Sequence, residues 1–599
     1  MRWRVAGVGV LVILAWYLPY RLDLYGVHVV DIAIVLALLA IGLGLAMGIG
    51  GQINLAQIAF FGVSAYAVAI LTTRAGLGFW TAAVLAVLAA ALVGLFVGIP
   101  ALRMQSHYLG IVTLGLALAF TNWVTNASVT GGADGVSGIS VPPLFGIDLS
   151  SEYLYYYVEL IVFGLALAFA LFLVRTGLGR RLRAMRDDSL AAGAVGAPVP
   201  VLRMTAFVLA SLYGGVAGVL YAGLIRYVAP ETFSIANMFL LLAMVIIGGR
   251  QSVVGCVVGA LALSLLREAL SDFSVYAQLG FGVVVVLMVV FAPTGLAGVP
   301  ARITAAIRRG RPAGERATLG AFRPGGSTPR SAAALEISGI SKRFRGLIAL
   351  AGVSMSVRPG EIRGVVGPNG SGKTTLFNIV SGIYPVSAGR ASVDGTVVTG
   401  RRPYQLSRLG IARTFQNLRL FGQMTVRENL LVALDRSSMW SVWRYLAWPV
   451  GVWRHERQLR RRADDLLDRF GLTAFAGAAP GSLPYGIQRR VEIARAMAGD
   501  PVLLLLDEPA AGLNGQEVGQ LREIVRSIRD EGVTVVLIEH NMGLVMSLCD
   551  RVTVLASGSV IADGTPAEVA VRPEVIEAYL GDSLNTADIA AAVETETVS

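Results

Sequence analysis

The stretch GPNGSGKTT, residues 367–375, lies between two apolar runs, IRGVV (362–366) before it and LFNIV (376–380) after it. This order of strand, glycine-rich turn and helix fits the pattern G-x-x-x-x-G-K-[ST]. In that pattern the glycines let backbone N–H groups surround a phosphate at the N-terminus of a helix. The segment therefore predicts an α/β P-loop domain that binds a nucleoside triphosphate.

Lys373 is one of only two lysines in the 599 residues, among 50 lysines and arginines in total. A slim ammonium can enter the glycine loop and reach the β- and γ-phosphate oxygens, whereas a planar guanidinium would clash. The Thr374 hydroxyl is placed to hold Mg²⁺. The predicted nucleotide-contacting residues of the loop are Gly367, Asn369, Gly370, Ser371, Gly372, Lys373, Thr374 and Thr375.

Two further apolar runs end in residues that can act on a phosphate. VLLLLDEP (502–509) ends in Asp507, placed to bind Mg²⁺ through water, and Glu508, placed to polarise an attacking water. VTVVLIEH (533–540) ends in His540, at the sheet edge where phosphate sensors lie. We expect a mostly parallel sheet with the nucleotide at the carboxyl ends of its strands. Taken alone, the acid pair would equally suit a helix cap, and a single strand-end histidine is usually structural.

The first half of the chain has a different composition. Residues 1–300 contain no lysine, 14 arginines and 11 acids, interrupted by long apolar runs. A helix needs about 20 apolar residues to cross a bilayer. We predict spans near 5–20, 29–49, 53–72, 79–99, 108–125, 154–174, 203–224 and 276–292, with a further apolar stretch over 236–266.

Charge orients these spans. The loop 175–188 holds five arginines and should face the cytoplasm, whereas 126–153 has no basic residue and should lie outside. The soluble half begins after residue 300 and must also be cytoplasmic, so the chain crosses the membrane an even number of times between the arginine-rich loop and residue 300. Spans 203–224 and 276–292 supply two crossings, so 236–266 should be two helices or a re-entrant hairpin that turns at GGRQS (248–252). This gives about ten spans with Met1 inside. The turn either lines the pathway or is only a tight helical hairpin.

Few polar residues occur in the spans. Gln52, Asn54 and Gln57 lie within one such segment. Hydrogen bonding between helices explains them more simply than substrate contact does, because polar groups in lipid usually face a bundle interior.

The motifs of the second half follow an order that resembles the ABC-transporter ATPase domain. After the phosphate loop come TFQN (414–417), LPYGIQRRVEIARA (483–496), LLLLDEP, AGLN (511–514) and IEH. The resemblance implies ATP and Mg²⁺ as cofactors. It also implies that Gln416 links the γ-phosphate and Mg²⁺ to the membrane domain, and that Phe344 stacks on adenine. Two such domains would enclose two ATP molecules, each signature segment capping its partner's nucleotide.

The signature segment departs from the family pattern. Pro484 stands where the family has serine, so one hydroxyl donor is missing. Gly486 and the following helix N-terminus can still present N–H groups to a γ-phosphate. The alternative is that Pro484 simply occupies the first helical position, where proline is favoured.

The membrane half resembles the permease of the branched-chain amino acid (Liv-type) ABC importer. The resemblance rests on GQINLAQIAFFGVSAYAVAIL (51–71), TGGADGVSGI (130–139) and GLGRRLRAMRDDSLAAGAVGA (177–197). The ATPase half resembles the ATP-binding subunit of the same system, down to PEVIEAYLG (573–581). An ATP-driven importer of branched-chain amino acids is implied, with urea or short amides as the alternative substrates. The same residues leave open an exporter half-transporter or a membrane-tethered regulatory ATPase.

The expected organisation has four parts. We predict an all-α permease domain at 1–300, a flexible linker at 301–333, an ABC ATPase domain with a helical subdomain at 334–581 and a disordered tail at 582–599. A tryptophan-rich stretch at 437–456 belongs either to the helical subdomain or to the membrane interface.

The resemblance also implies partners and location. One permease and one ATPase domain make half a transporter, so a second permease and a second ATPase subunit, or a homodimer, are expected. An extracytoplasmic solute-binding protein and membrane lipid complete the expected partners. The formal charge of +11 requires no nucleic acid, because arginines beside membrane spans account for much of it. The expected location is a bacterial cell membrane with the ATPase domain in the cytoplasm, and loop 178–197 is expected to dock on that domain.

Overall fold

The computed structural model describes residues 2–101, 104, 106–144, 147–270, 277–291, 295–298, 319–324, 332–435 and 449–580. The chain divides into two compact units, Met1–Arg186 with Pro200–Gly314 and Asp187–Val199 with Glu315–Ser599. Parts of three predicted segments lie outside the described residues, namely 301–318 and 325–331 of the linker, 437–448 of the tryptophan-rich stretch, and the tail 582–599.

The described residues up to 298 are mostly helical. The helices are α1 (Arg2–Tyr17), α2 (Leu24–Leu43), α3 (Gln57–Thr73), α4 (Phe79–Ala101), α5 (Ser106–Asn126), α6 (Glu152–Arg175), α7 (Gly177–Asp187), α8 (Ser189–Ala194), α9 (Val199–Ile225), α10 (Ile235–Gly248), α11 (Val253–Ala269) and α12 (Ala277–Phe291). A π-helical turn, Gly44–Ile49, extends α2. Four two-residue strands form two antiparallel pairs, β1 (Val136–Ser137) with β4 (Tyr227–Val228) and β2 (Pro143–Leu144) with β3 (Ile147–Asp148).

Every predicted span corresponds to a helix. Within the described residues, five helices are long and apolar enough to cross a membrane: Leu24–Ile49, Phe79–Pro100, Tyr108–Asn126, Glu152–Arg175 and Val199–Ile225. Two shorter apolar helices are Gln57–Thr73 and Ile235–Gly248. The helical membrane half predicted from the sequence is confirmed, and the count of ten crossings stays approximate.

The stretch 236–266 forms two helices, as the charge argument required. A turn at 249–252 separates α10 from α11, and the Ser252 hydroxyl caps α11 by accepting the Gly255 N–H at 3.1 Å. The helices touch through backbone, because a Cβ on Gly259 would lie 2.0 Å from the Met244 carbonyl oxygen and 2.7 Å from the Gly248 Cα. Such contact is what a tight helical hairpin requires.

Polar side chains of α3 bond to a neighbouring helix. The Gln57 side-chain amide donates to the carbonyl oxygen of Ala210 on α9 at 3.0 Å. The Ser64 hydroxyl donates to the carbonyl oxygen of Gly215 on the same helix at 2.6 Å. The contact of Gln57 supports its interpretation as a link between helices. Gln52 and Asn54 bond within their own segment, to the Gly50 carbonyl oxygen and to Gln57 Oε1, both at 3.3 Å.

The second unit is an α/β domain with two β-sheets and an apolar core. A six-stranded sheet has the order β10 (Ile411–Arg413), β11 (Leu503–Asp507), β12 (Thr534–Ile538), β7 (Ile362–Val366), β13 (Arg551–Ala556), β14 (Ser559–Gly564). All neighbours in it are parallel except β13 and β14. An antiparallel sheet has the order β6 (Leu347–Val357), β5 (Leu335–Phe344), β8 (Ala388–Val393), β9 (Thr396–Val397).

Nine described helices accompany these sheets: α13 (Lys373–Val380), α14 (Pro403–Arg408), α15 (Val426–Leu434), α16 (Pro449–Arg469), α17 (Tyr485–Ala498), α18 (Gly515–Asp530), α19 (Met542–Leu548), α20 (Pro566–Ala570) and α21 (Pro573–Leu580). The adjacent parallel strands β11, β12 and β7 are buried along their whole length. Because their carboxyl ends meet at one edge, the phosphate loop, the acid pair and the histidine come together there.

Candidate active site

The phosphate loop joins β7 to α13 and is closed around its lysine. Lys373 is 5% exposed, and its ammonium donates to the carbonyl oxygens of Gly367 at 2.6 Å and Pro368 at 2.8 Å. Gly372 takes φ +100°, and a Cβ there would lie 2.6 Å from the Ala349 carbonyl oxygen, so only glycine fits. The ammonium is therefore held within the loop that the sequence predicts to surround a phosphate.

Three predicted catalytic side chains meet at the end of β11. Glu508 Oε1 lies 2.9 Å from His540 Nε2, and the Gln416 side-chain amide donates to Glu508 Oε2 at 3.0 Å. Both oxygens of the carboxylate are thus oriented. Glu508 also takes φ +44°, a left-handed conformation that a non-glycine residue adopts only when its surroundings hold it.

Asp507 is paired with a cation that the sequence argument missed. Arg413 donates to Asp507 Oδ2 at 2.8 Å, and the two side chains are 3% and 2% exposed. The same guanidinium donates to Asn378 Oδ1 and Ser381 Oγ, both at 2.7 Å, at the end of α13. Burial raises the pKa of Asp507 although Arg413 opposes the change, and burial lowers the pKa of Arg413 although Asp507 opposes it.

The residues expected to hold Mg²⁺ have suitable chemistry. Within the described residues, Asp507 Oδ1 is buried without a hydrogen-bond partner, so it remains available for a metal-bound water. Thr374 is exposed at the start of α13, and Gln416 is exposed at the same strand edge. Hydroxyl, amide and carboxylate oxygens are the ligands that Mg²⁺ prefers, so the donor set fits the ion.

The remaining loop residues differ in exposure. Ser371 is 2% exposed, whereas Asn369 and Gly370 are exposed and Thr375 is half-buried. Phe344 ends β5 and is 38% exposed, with Tyr384 edge-on at 5.4 Å between ring centroids. The Lys342 ammonium lies over the same ring, 4.8 Å from its centroid, and the stacking of Phe344 on adenine stays a prediction.

The signature segment begins α17 one residue after its proline. The helix starts at Tyr485, and Pro484 precedes it as the N-cap, with φ −54° and ψ 150° and no side-chain cap. The alternative of proline at the first helical position does not hold, because an extended ψ places Pro484 just outside the helix. The capping of a partner's nucleotide by this segment stays a prediction. Gly486 lies against Glu517, whose Oε1 would be 2.1 Å from a Cβ at that position.

A second missed residue connects α17 to the catalytic group. Arg489 is 1% exposed and donates to the carbonyl oxygens of Phe415 at 2.9 Å, Gln416 at 3.1 Å and Glu508 at 3.4 Å. Glu492 Oε2 accepts from the same guanidinium at 2.8 Å. A basic residue inside the quoted signature segment was the available signal, but the sequence did not name its acceptors.

Residues from the predicted docking loop belong to the second unit. Asp188 caps α8 by accepting the N–H groups of Leu190 and Ala191, both at 2.9 Å. Its other carboxylate oxygen accepts from Arg419 at 2.7 Å, three residues after Gln416. Asp187 accepts the Gln423 N–H at 3.0 Å.

Comparison with known proteins assigns both halves of the chain. The family described as branched-chain amino acid transport system / permease component matches residues 27–293. The ABC transporter family matches residues 350–511, and the branched-chain amino acid ATP-binding cassette transporter family matches residues 559–584.

Individual relatives match the second half over nearly their whole length. The high-affinity branched-chain amino acid transport ATP-binding protein BraF of Pseudomonas aeruginosa is 44% identical over 250 residues, 42% of this chain and 98% of that protein. The chain belongs to the branched-chain amino acid family of ABC transporters. LivG of Escherichia coli strain K12 is 41% identical over 250 residues, 42% of this transporter chain and 98% of LivG. A probable LivG of Archaeoglobus fulgidus is 37% identical over 248 residues, 41% and 95% of the two chains.

This transporter chain is a membrane protein that joins a permease domain to an ATP-binding domain. The matched region spans nearly the whole length of these ATP-binding relatives but only 42% of this chain. The permease domain lies outside the matched region. The second half is an ATP hydrolase of the kind that drives transport.

Proposed function

We propose that this transporter imports branched-chain amino acids with energy from ATP hydrolysis. The observation that carries the proposal is that its permease half and its ATP-binding half separately match families described for the same transport system. The names of the relatives favour the same substrates over urea or short amides.

The arrangement of side chains suits hydrolysis. Glu508 would orient and polarise the water that attacks the γ-phosphate, while its contacts with His540 and Gln416 hold the carboxylate in place. Lys373 would exchange its carbonyl acceptors for β- and γ-phosphate oxygens. Thr374, Asp507 and Gln416 would hold Mg²⁺, which when bound neutralises charge developing on the phosphates.

The docking loop suits coupling of hydrolysis to transport. Asp188 bonds Arg419, which lies in the same loop as Gln416, so a change at the γ-phosphate can reach α8 through a few covalent and ionic links. ATP would bind one state of the assembly more tightly than the other, and this difference in affinity drives the change.

The proposed assembly needs more than one chain. The chain has one signature segment and one phosphate loop, so the expected capping of ATP requires a partner ATPase. We propose a second permease and ATPase subunit or a second copy of this chain, together with an extracytoplasmic solute-binding protein that selects the substrate. The fusion keeps each permease and ATPase at high effective concentration.

The test is uptake of radiolabelled leucine or urea into proteoliposomes that contain the transporter, its companion subunits and the solute-binding protein. ATP-dependent leucine uptake is expected. Glu508→Gln should lower hydrolysis and uptake by about 10²–10⁴-fold with ATP affinity unchanged. The matched control is Glu523→Gln, at an exposed glutamate, which should behave as wild type.

Each other result has a defined meaning. ATP-driven urea uptake without leucine uptake would overturn the substrate. Hydrolysis without any uptake would favour the regulatory ATPase. Unchanged hydrolysis in Glu508→Gln would overturn the role of Glu508.

A further inference from the structure

Glu539 is a buried acid beside the catalytic group that the mechanism above does not use. It lies between the end of β12 and His540 and is 3% exposed. A buried carboxylate is costly unless its oxygens accept hydrogen bonds, so the donors around it indicate what it holds.

The donors come from two segments. Glu539 Oε1 accepts the N–H of Ala510 at 2.7 Å, two residues after Glu508. Glu539 Oε2 accepts the N–H of His540 at 3.1 Å and, at 3.4 Å, that of Asn541. One carboxylate therefore bonds both segments that carry the Glu508–His540 contact.

The segment on the Glu508 side is strained and needs support. Glu508 takes φ +44°, and its N–H donates to the Ile538 carbonyl oxygen at 2.9 Å. The Ala510 bond to Glu539 is a second tie to the end of β12. Two hydrogen bonds therefore hold the turn that contains Glu508 and Ala510 against the end of β12, and they restrict its orientation more than one hydrogen bond would.

The chemistry of the site requires an acid at position 539. Both oxygens face N–H donors, and a glutamine amide would turn its own N–H₂ towards one of the two segments. Burial raises the pKa of Glu539, the negative charge of Glu508 acts in the same direction, and the N–H donors oppose both.

We propose that Glu539 is a positioning residue of the hydrolytic site, whose carboxylate sets the relative placement of Glu508 and His540 without touching the nucleotide. The inference rests on the hydrolytic roles proposed above for those two residues.

The first test is Glu539→Gln in the full chain assembled with its companion subunits. We expect kcat for ATP hydrolysis to fall by about 10–100-fold, with binding of a fluorescent ATP analogue unchanged within about twofold. Glu539→Asp keeps the charge but shortens the reach, so its kcat should lie between those of wild type and Glu539→Gln. This second variant also serves if glutamine prevents assembly.

The second test combines the variant with His540→Ala. Without the imidazole the part of the effect that passes through His540 is already lost, so the double mutant should be slowed by clearly less than the product of the two single effects. The matched control is Glu531→Gln, at a buried glutamate paired with Arg469, which should keep wild-type kcat whatever its effect on stability.

The outcomes separate this inference from the proposed function. Unchanged kcat in Glu539→Gln, a fall that Glu531→Gln matches, or multiplicative effects with His540→Ala would each overturn the positioning role while leaving hydrolysis intact. Wild-type hydrolysis in His540→Ala would overturn the role of His540 and this inference with it.

Discussion

Arg413→Met removes the cation beside the acid that is expected to bind magnesium-bound water. The Arg413 and Asp507 side chains are 3% and 2% exposed, so the loss leaves a carboxylate buried without its partner. Methionine fills much of the same volume but donates no hydrogen bond. Asn378 and Ser381 lose a donor at the same time.

The expected cost follows from this burial. Breaking a buried ion pair by removing one partner costs about 3–5 kcal/mol. One kcal/mol shifts the unfolding temperature of a domain of this size by about 2–4 °C, so the ATPase transition should fall by about 6–20 °C. Calorimetry on the purified full chain measures it, and the ATPase transition is the one that ATP shifts upward.

Two further variants make the measurement decisive. Arg462→Met breaks an exposed pair with Asp500, whose side chains are 55% and 49% exposed, and should cost less than about 1 kcal/mol. Arg413→Met combined with Asp507→Asn removes both charges, and should be less destabilised than the sum of the single variants by roughly 1–3 kcal/mol.

The reasoning would be refuted by an Arg413→Met shift no larger than that of Arg462→Met. Strict additivity in the double variant would also refute it, because the two charges would then not act on each other.

Two other substitutions test the docking loop and the helical hairpin. Asp188→Ala removes the cap of α8 and the bond to Arg419. The ratio of leucine imported to ATP hydrolysed, measured in the same vesicles, should fall at least several-fold while hydrolysis persists. An unchanged ratio would contradict the coupling route. Gly259→Ala places a Cβ 2.0 Å from the Met244 carbonyl oxygen and should lower the yield of folded, monodisperse protein. Gly164→Ala, with open space around it, is the control, and equal yields from both variants would contradict the backbone contact.

Local chemistry was enough to predict much of the ATP-binding half. The glycine loop, the acid pair after one buried strand and the histidine after the next could each be recognised from a few consecutive residues. The prediction that 236–266 forms two helices also needed only charge and the parity of membrane crossings. Whether Pro484 lies inside or just before its helix was left to the structure, since a helix boundary depends on one backbone angle that composition does not specify.

The amino-acid order alone thus specified which chemical groups the chain carries and how long its apolar segments are. Beyond the groups gathered at the strand ends, the tertiary structure decided which side chains meet. Arg413 and Asp507 are 94 residues apart, and Asp188 and Arg419 are 231 apart. Such pairs depend on strand order and docking, which arise from burial over the whole unit. A periodicity read along the chain reports which face a residue occupies, but it does not report which distant side chain lies opposite.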